Sequence, residues 1–288
     1  MGIWIKKLGI FPNTGKENVM QFLDQFIKLV REKGMEPILP VEFAAARGCR
    51  AFDVKDQASL KELDASVSLG GDGTLLSMAQ HTAPLVIPGF GINLGTLGFL
   101  AEIDLRGLEQ AMENLAHDNY FIEARSLLEG KVIKDGQVVN KCFALNDIVL
   151  EKGMWSKMAH LNLFINGKQS GTYSADGIII STATGSTAYS LSAGGPLVMP
   201  ELDVSIITPI CAHSLTARAL VIPMSETIEL MAVPGSEEMK LFADGQSIAE
   251  VDNATTVRIN KSPFKMNFIR LTNIDYYQTW QQKLMRNV

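Results

Sequence analysis

Apolar positions along the first third of the chain follow two periods in turn. Ile3 to Phe11 is β-rich and apolar. It is followed by Val19, Phe22, Leu23, Phe26, Ile27 and Val30 at helical spacing, closed by Gly34. Thr14-Gly-Lys-Glu17 has the Ser/Thr-x-x-Glu form of a capping box and predicts the start of that helix. Pro37–Leu39, Ala65–Leu69 and Leu85–Ile92 are short apolar runs that read as further strands. Leu75, Leu76, Met78 and Ala79 open a second helix, and Asp104 is expected to cap a third carrying Leu105, Leu108, Ala111, Met112 and Leu115. Strands alternating with helices predict a parallel sheet covered on both faces, an α/β domain of Rossmann or flavodoxin-like type over 1–118.

The pattern then changes. From about Tyr120 to Lys261 short β-rich runs are broken by Asp135-Gly136, Asn166-Gly167 and Asp244-Gly245, dipeptides suited to the positive φ values of tight hairpins. One helical stretch stands out, around Thr187 to Ala193. An all-β second domain over 119–264 is therefore expected, with a C-terminal helix assigned to 265–288, on a helical pattern from Tyr276 to Arg286, packing back on the first domain.

Composition narrows the function. In 288 residues, 47% hydrophobic and 20% charged, the chain can bury a good core and is not expected to be disordered. A formal net charge of −5 offers no field for a phosphate backbone, which argues against nucleic acid as partner. A nucleotide can still be held by backbone N–H groups and a few local cations. Cys49, Cys142 and Cys211 are far apart and odd in number, so no disulfide framework or metal spacing can be drawn from them. The N-terminus lacks a basic-then-apolar signal pattern and no stretch approaches transmembrane length, so a cytoplasmic protein without a membrane role is expected.

Three glycine-rich segments carry the candidate chemistry. Gly70-Gly71-Asp72-Gly73-Thr74 sits where a strand ends and a helix begins, the junction at which α/β folds bind ligands. It lacks the Gly-Lys-Ser/Thr ending of a Walker A loop. A carboxylate among phosphate-cradling amides needs a reason: Asp72 could hold a bridging cation, accept a proton from an attacking hydroxyl, or cap the helix in an Asx-type turn. Gly89-Phe-Gly91-Ile-Asn93-Leu-Gly95-Thr-Leu-Gly98 is one residue too long for the dinucleotide fingerprint and reads equally as a packing turn. The third segment runs from Asp176 to Pro196. Ser181, Thr182, Thr184, Ser186, Thr187, Ser190 and Ser192 place seven hydroxyls within twelve positions, suited to ribose and phosphate oxygens. Tyr189 adds an aromatic face for a base, or for the core.

Together these segments resemble the NAD kinase family. Gly-Gly-Asp-Gly-Thr is shared with the wider superfamily of diacylglycerol and sphingosine kinases; the Asp176–Pro196 run is more specific. Asn146-Asp147 resembles the family's Asn-Glu pair, Pro209-Ile-Cys211-Ala-His213-Ser-Leu215 a further signature, and Gly95-Thr-Leu-Gly98-Phe-Leu100 its Leu-Gly-Phe loop. The resemblance covers residues 1 to 275 and implies the NAD kinase/diacylglycerol kinase-like fold. It implies a transferase that phosphorylates the adenosine ribose 2′-hydroxyl of NAD with ATP to give NADP. Asp72 would be the general base with Gly73 beside it, and Asn146 and Asp147 would bind ribose and adenine. Asp176 would hold the nicotinamide end, with Lys157 and Ser174 at neighbouring contact positions. Thr187, Ala188, Tyr189, Ser190, Leu191 and Ser192 would line the adenosine pocket, and Gln246 would also face NAD. A divalent cation, Mg²⁺ by preference, would be held through the ATP phosphates rather than by metal-ligating residues of the chain. Homodimers or homotetramers are implied.

The chain departs from the family at several positions. Ser174 and Lys157 stand where arginine is common, Ala183, Ala212 and Ala219 replace prolines, and Asp147 shortens a glutamate. A lipid kinase of the same superfamily and a non-catalytic nucleotide-binding regulator are the competing expectations. No basic amphipathic stretch points to the first, and Asp72, Asn146 and Asp176 are all present against the second.

Overall fold

The computed structural model describes residues 4–95, 98–101, 103–153, 158–233, 238–271 and 275–284. It divides into two compact units, Met1–Ala124 with Lys265–Val288, and Arg125–Phe264.

The first unit alternates strand and helix: β1 (Lys7–Pro12), α1 (Glu17–Glu32), β2 (Glu36–Pro40), α2 (Val41–Ala44), β3 (Arg50–Phe52), α3 (Gln57–Leu60), β4 (Ala65–Gly70), α4 (Asp72–Thr82), β5 (Gly89–Asn93) and α5 (Leu108–Ala116). The strands lie in the order β5-β4-β1-β2-β3 and every neighbouring pair is parallel. All six residues of β4 and all five of β5 are buried, as expected of strands covered on both faces. α1 sends Val19, Leu23, Phe26 and Val30 into a core shared with Leu8 and Ile10 of β1, and with Leu108, Met112 and Leu115 of α5.

Four boundaries differ from the expectation, each for a local reason. The first strand starts at Lys7, with residues 4–6 outside it, and Ile3 lies outside the described residues. Lys16, not Thr14, is the N-cap of α1 and makes no side-chain cap bond, and Asn13 Oδ1 accepts from Gly15 N (3.0 Å), turning the chain ahead of α1. Ala83–Leu85 is a 3₁₀ turn and Val86 takes φ 60°, so that strand starts only at Gly89. Asp104 Oδ1 accepts from the N–H groups of Arg106 and Gly107 (both 3.0 Å), which spends it on the preceding turn. The helix then begins at Leu108 and leaves Leu105 exposed.

The second unit is β-rich. Its strands are β6 (Phe121–Lys134, entering from the first unit), β7 (Gln137–Ala144), β8 (Asp147–Lys152), β9 (Ala159–Ile165), β10 (Lys168–Ala175) and β11 (Gly177–Thr182). After α6 (Tyr189–Ser192) come β12 (Val204–Ile210), β13 (Leu220–Pro223), β14 (Ile228–Ala232), β15 (Met239–Ala243), β16 (Gln246–Val251) and β17 (Thr255–Arg270). One antiparallel sheet has the order β13-β12-β11-β8-β15-β16; β10-β9-β14-β17 and the pair β6-β7 build the other layer. Ile148, Ile178, Ile180 and Leu241 of the first sheet pack with Leu161, Leu163, Leu230 and Val257 of the other in one core.

The three dipeptides form the tips of hairpins β6-β7, β9-β10 and β15-β16, and both residues of each have positive φ, from 47° to 77°. The stretch Thr187–Ala193 is shorter as a helix than its pattern predicts. It forms a 3₁₀ turn over Thr184–Thr187 and a single turn, α6, because its hydroxyls bond elsewhere in the unit.

At the C-terminus Lys265–Arg270 is the end of β17 and not helix, with Phe268 parallel to Gly89 of β5, whereas the helical pattern from Tyr276 onward forms α7 (Tyr276–Leu284) among the described residues. Tyr276 donates its hydroxyl to Glu123 (3.0 Å), which also pairs with Arg270. Lys283 Nζ lies 4.6 Å from the ring centre of Phe99. Among the described residues no helix is long and apolar enough to cross a membrane.

Phe26 is fully buried where α1 meets the parallel sheet. Phe26→Ala should destabilise the first unit by about 3–5 kcal/mol, read as a lower urea midpoint with the protein still soluble; an unchanged midpoint would contradict this packing.

Candidate functional site

In the first unit the site is built at the carboxyl end of β4. Gly70 ends the strand against Thr74 and Asn13, where an added Cβ would collide with the Thr74 hydroxyl. Asn13 Nδ2 donates to that same hydroxyl (3.1 Å). Gly71 is the N-cap of α4, with extended backbone and no side-chain bond, and Asp72 is the first helical residue. The space beside Gly73 is open. Asp72 does not cap its own helix. Its Oδ2 accepts from Phe99 N (2.7 Å), and its Oδ1 accepts from Leu100 N (3.1 Å) and Ala101 N (3.0 Å). Asp72 is thus tied to the Leu-Gly-Phe loop. Thr96 and Leu97 of that loop lie outside the described residues.

In the second unit Asn146 and Asp147 enter β8 under a similar hold. Asp244, at the tip of hairpin β15-β16, accepts Leu145 N on Oδ2 (2.8 Å), and Asn146 N (2.8 Å) and Asp147 N (3.1 Å) on Oδ1. From the other side Thr182 N donates to Asn146 O (2.9 Å) and Thr182 Oγ1 to Leu145 O (2.6 Å). Gly185 packs so closely on the Asn146 backbone that a Cβ there would overlap it. The Asn-Asp pair and the hydroxyl-rich run therefore adjoin. The clamp leaves the Asn146 carboxamide oxygen buried with no hydrogen-bond partner, which favours a ligand donor there.

The hydroxyls of the run divide into two groups. Thr184 Oγ1 accepts from the buried Arg125 (3.1 Å), Ser186 Oγ donates to Val198 O (3.1 Å), and Ser190 Oγ bonds Thr208 Oγ1 (2.9 Å); these shape the turn. Thr187 is partly exposed, and Tyr189 and Ser192 are exposed, with Ala188 and Leu191 between them. The Tyr189 phenol is raised above its ordinary pKa by burial, and further by neighbouring carboxylates that include Asp147 and Asp176.

Ser174 and Asp176 stand at the other end of β11. Ser181 pairs with Asp147 and Gly177 with Glu151, so the six-residue strand separates the two groups by roughly 20 Å at ~3.3 Å per residue. Asp176 is ion-paired with Lys152 Nζ (2.8 Å), and Ser174 Oγ bonds His160 Nδ1 (2.9 Å). Gln246 follows the Asp244-Gly245 tip and is exposed. Lys157 lies outside the described residues. Among the described residues no group of three His, Cys, Asp or Glu side chains stands together as a metal cage.

Sequence reasoning missed four partners. Asp244 gave only a hairpin signal, since Asp-Gly looks the same whether or not its carboxylate reaches inward. Arg125 is an arginine on an alternating strand, Lys152 and His160 are ordinary strand-end residues, and their pairing depends on strand register.

Asp147 is 5% exposed, and burial followed by the neighbouring Asp244 charge raises its pKa to about 7. Asp244 is raised as well, by burial, against the lowering effect of its three N–H donors. Both carboxyl groups of the pair are thus pushed above the ordinary carboxylate range, Asp244 against the pull of its three donors.

The chain was compared with known proteins. Residues 16–120 match the model of the ATP-NAD kinase N-terminal domain and residues 145–271 that of the ATP-NAD kinase C-terminal domain. An NAD kinase of Thermoanaerobacter sp. (strain X514) is 37% identical over 280 residues, covering 97% of this chain and 99% of that protein. Among solved structures, yeast NADH kinase complexed with NADH superposes with a TM-score of 0.88 at 26% identity, covering 98% of this chain and 88% of the other. An NAD kinase from Archaeoglobus fulgidus in complex with ATP gives 0.76 at 25% identity, covering 97% and 98%. The chain belongs to the ATP-NAD kinase family.

The raised Asp147 has a testable sign. Its folded pKa of about 7 lies above the unfolded ~3.9, so the folded state holds a proton that the unfolded state has lost. Stability should therefore fall as pH rises from about 4 through about 7, with the full cost above that. Asp147→Asn should flatten this decline and raise Tm at pH 8 more than at pH 5. Equal shifts at both pH values would contradict the assignment.

Proposed function

We propose that this protein is an NAD kinase, which transfers the γ-phosphoryl group of ATP to the adenosine ribose 2′-hydroxyl of NAD and releases NADP and ADP. The observation that carries the reading is the Asp72 carboxylate, fixed at the carboxyl end of β4 in a chain of this family. The 2′-oxygen forms the new bond to phosphorus, the bond to the β–γ bridging oxygen breaks with its electron pair on ADP, and the hydroxyl proton passes to Asp72. A carboxylate is far less basic than an alkoxide, so in a loose transition state the proton leaves late. Most of the acceleration then comes from positioning and from charge stabilisation.

The β-rich unit binds the dinucleotide in this reading. Asn146 meets the adenosine with its unpartnered carboxamide oxygen, and Asp147, whose pKa is raised to about 7, can donate while it is protonated. Thr187–Ser192 line the adenosine pocket, with the exposed ring of Tyr189 available for stacking. Asp176 takes the nicotinamide end with Ser174 and Lys157, roughly one strand length away along β11, a span suited to an extended dinucleotide. Gly73 and Gln246 add contacts. A divalent cation, Mg²⁺ by preference, is carried in by the ATP phosphates and neutralises charge on the transferring group. A cytoplasmic homodimer or homotetramer completes the reading.

Purified protein with ATP, Mg²⁺ and NAD should form NADP, detected by an NADP-specific dehydrogenase. Asp72→Asn should lower kcat by about 10²–10⁴-fold with the fold retained, and should lower Tm in part, because a carboxamide cannot accept all three N–H groups. Near-full activity of that variant would remove the base assignment, and phosphorylation of a lipid with no NADP formed would overturn the function.

A further inference from the structure

Asp72 is held with its two oxygens in unlike states. Oδ1 accepts from both Leu100 N and Ala101 N, whereas Oδ2 accepts from Phe99 N alone. A carboxylate oxygen offers about two lone-pair directions, so Oδ1 is filled and Oδ2 keeps one open. The residue that begins this loop, Gly98, lies directly against the carboxylate. A Cβ there would overlap Cγ and both oxygens of Asp72.

What a side chain at Gly98 lacks is room beside Asp72. We infer that Gly98 is a positioning residue for phosphoryl transfer. Its missing side chain lets the chain pass across Asp72 so that three successive N–H groups fix the carboxylate with Oδ2 free to receive the acceptor proton. The inference rests on the reading of Asp72 as the base.

A side chain at Gly98 displaces a carboxylate that three N–H groups otherwise hold, so the loss falls on the chemical step rather than on substrate binding. Misplacement of a reacting group by about 1 Å is worth about 10²-fold in rate. The test is a double-mutant cycle on the full chain, Gly98→Ala in the wild-type and in the Asp72→Asn backgrounds, with kcat, KM for NAD and ATP, and Tm measured for each. Gly98→Ala should lower kcat about 10²-fold in the wild-type background with both KM values within about threefold. In the Asp72→Asn background it should change kcat by less than about twofold, because no base remains to be displaced. A general packing role would give the same fold-loss in both backgrounds. That result, or near-full activity of Gly98→Ala, would overturn the inference. Should Gly98→Ala not fold, Ala101 replaced by lactic acid deletes one N–H donor to Oδ1 without adding an atom, and the same cycle is read with that variant. Near-full activity of Asp72→Asn by itself is the separate result that removes the base reading.

Discussion

A carboxylate accepting N–H groups from three consecutive residues is the interaction on which the rest of this structure depends. Among the described residues it occurs twice, once in each unit. Asp72 holds Phe99, Leu100 and Ala101, and Asp244 holds Leu145, Asn146 and Asp147. The atom pattern is the same in both: the first residue bonds Oδ2, and the second and third bond Oδ1. Hydrogen bonds to a charged group contribute about 1.5–3 kcal/mol each, roughly twice a neutral one, so each carboxylate can order a segment that has no regular partner. A helix or strand would satisfy these N–H groups internally and leave the residues nothing to offer a ligand. Here the side chain of Asn146 stays available, with its oxygen buried and unpartnered.

The sequence made the architecture legible wherever periodicity reports burial. β4 and β5 are buried at every position, their apolar residues interleaved with small or polar ones such as Ser66 and Ser68, and α1 shows its stripe at Val19, Leu23, Phe26 and Val30. The hairpin dipeptides were legible for a steric reason, since both central residues must take positive φ. Boundaries were less so. Thr14 and Glu17 satisfy a capping pattern, yet Asn13 sits where it can bond Gly15 first. The last helix was legible from Tyr276, where α7 begins, but its assignment back to Lys265 ran into the end of β17.

The site was legible in its residue types and not in its connections. Glycines and hydroxyls after β4 and β11 stand out by residue type alone. What fixes them there is long-range. Arg125 reaches Thr184 across 59 positions, and Asp244 reaches Asn146 across 98. Such contacts depend on how sheets register, and no local window contains both partners. Asp147 illustrates the consequence: its composition says carboxylate, and its surroundings, burial beside Asp244, say carboxylic acid until about neutral pH.

The order of the chain also sets an order of assembly. The parallel sheet of the first unit takes the end of β17 against β5, with Ile269 and Leu271 completing its core. Those residues are made only after the whole of the second unit, Arg125–Phe264. While a ribosome is still working, β5 is an open strand edge, the kind of surface that pairs indiscriminately with other chains. The β-rich unit, contiguous in sequence, can close by itself in that interval. The half of the protein that begins first is therefore the half that finishes last.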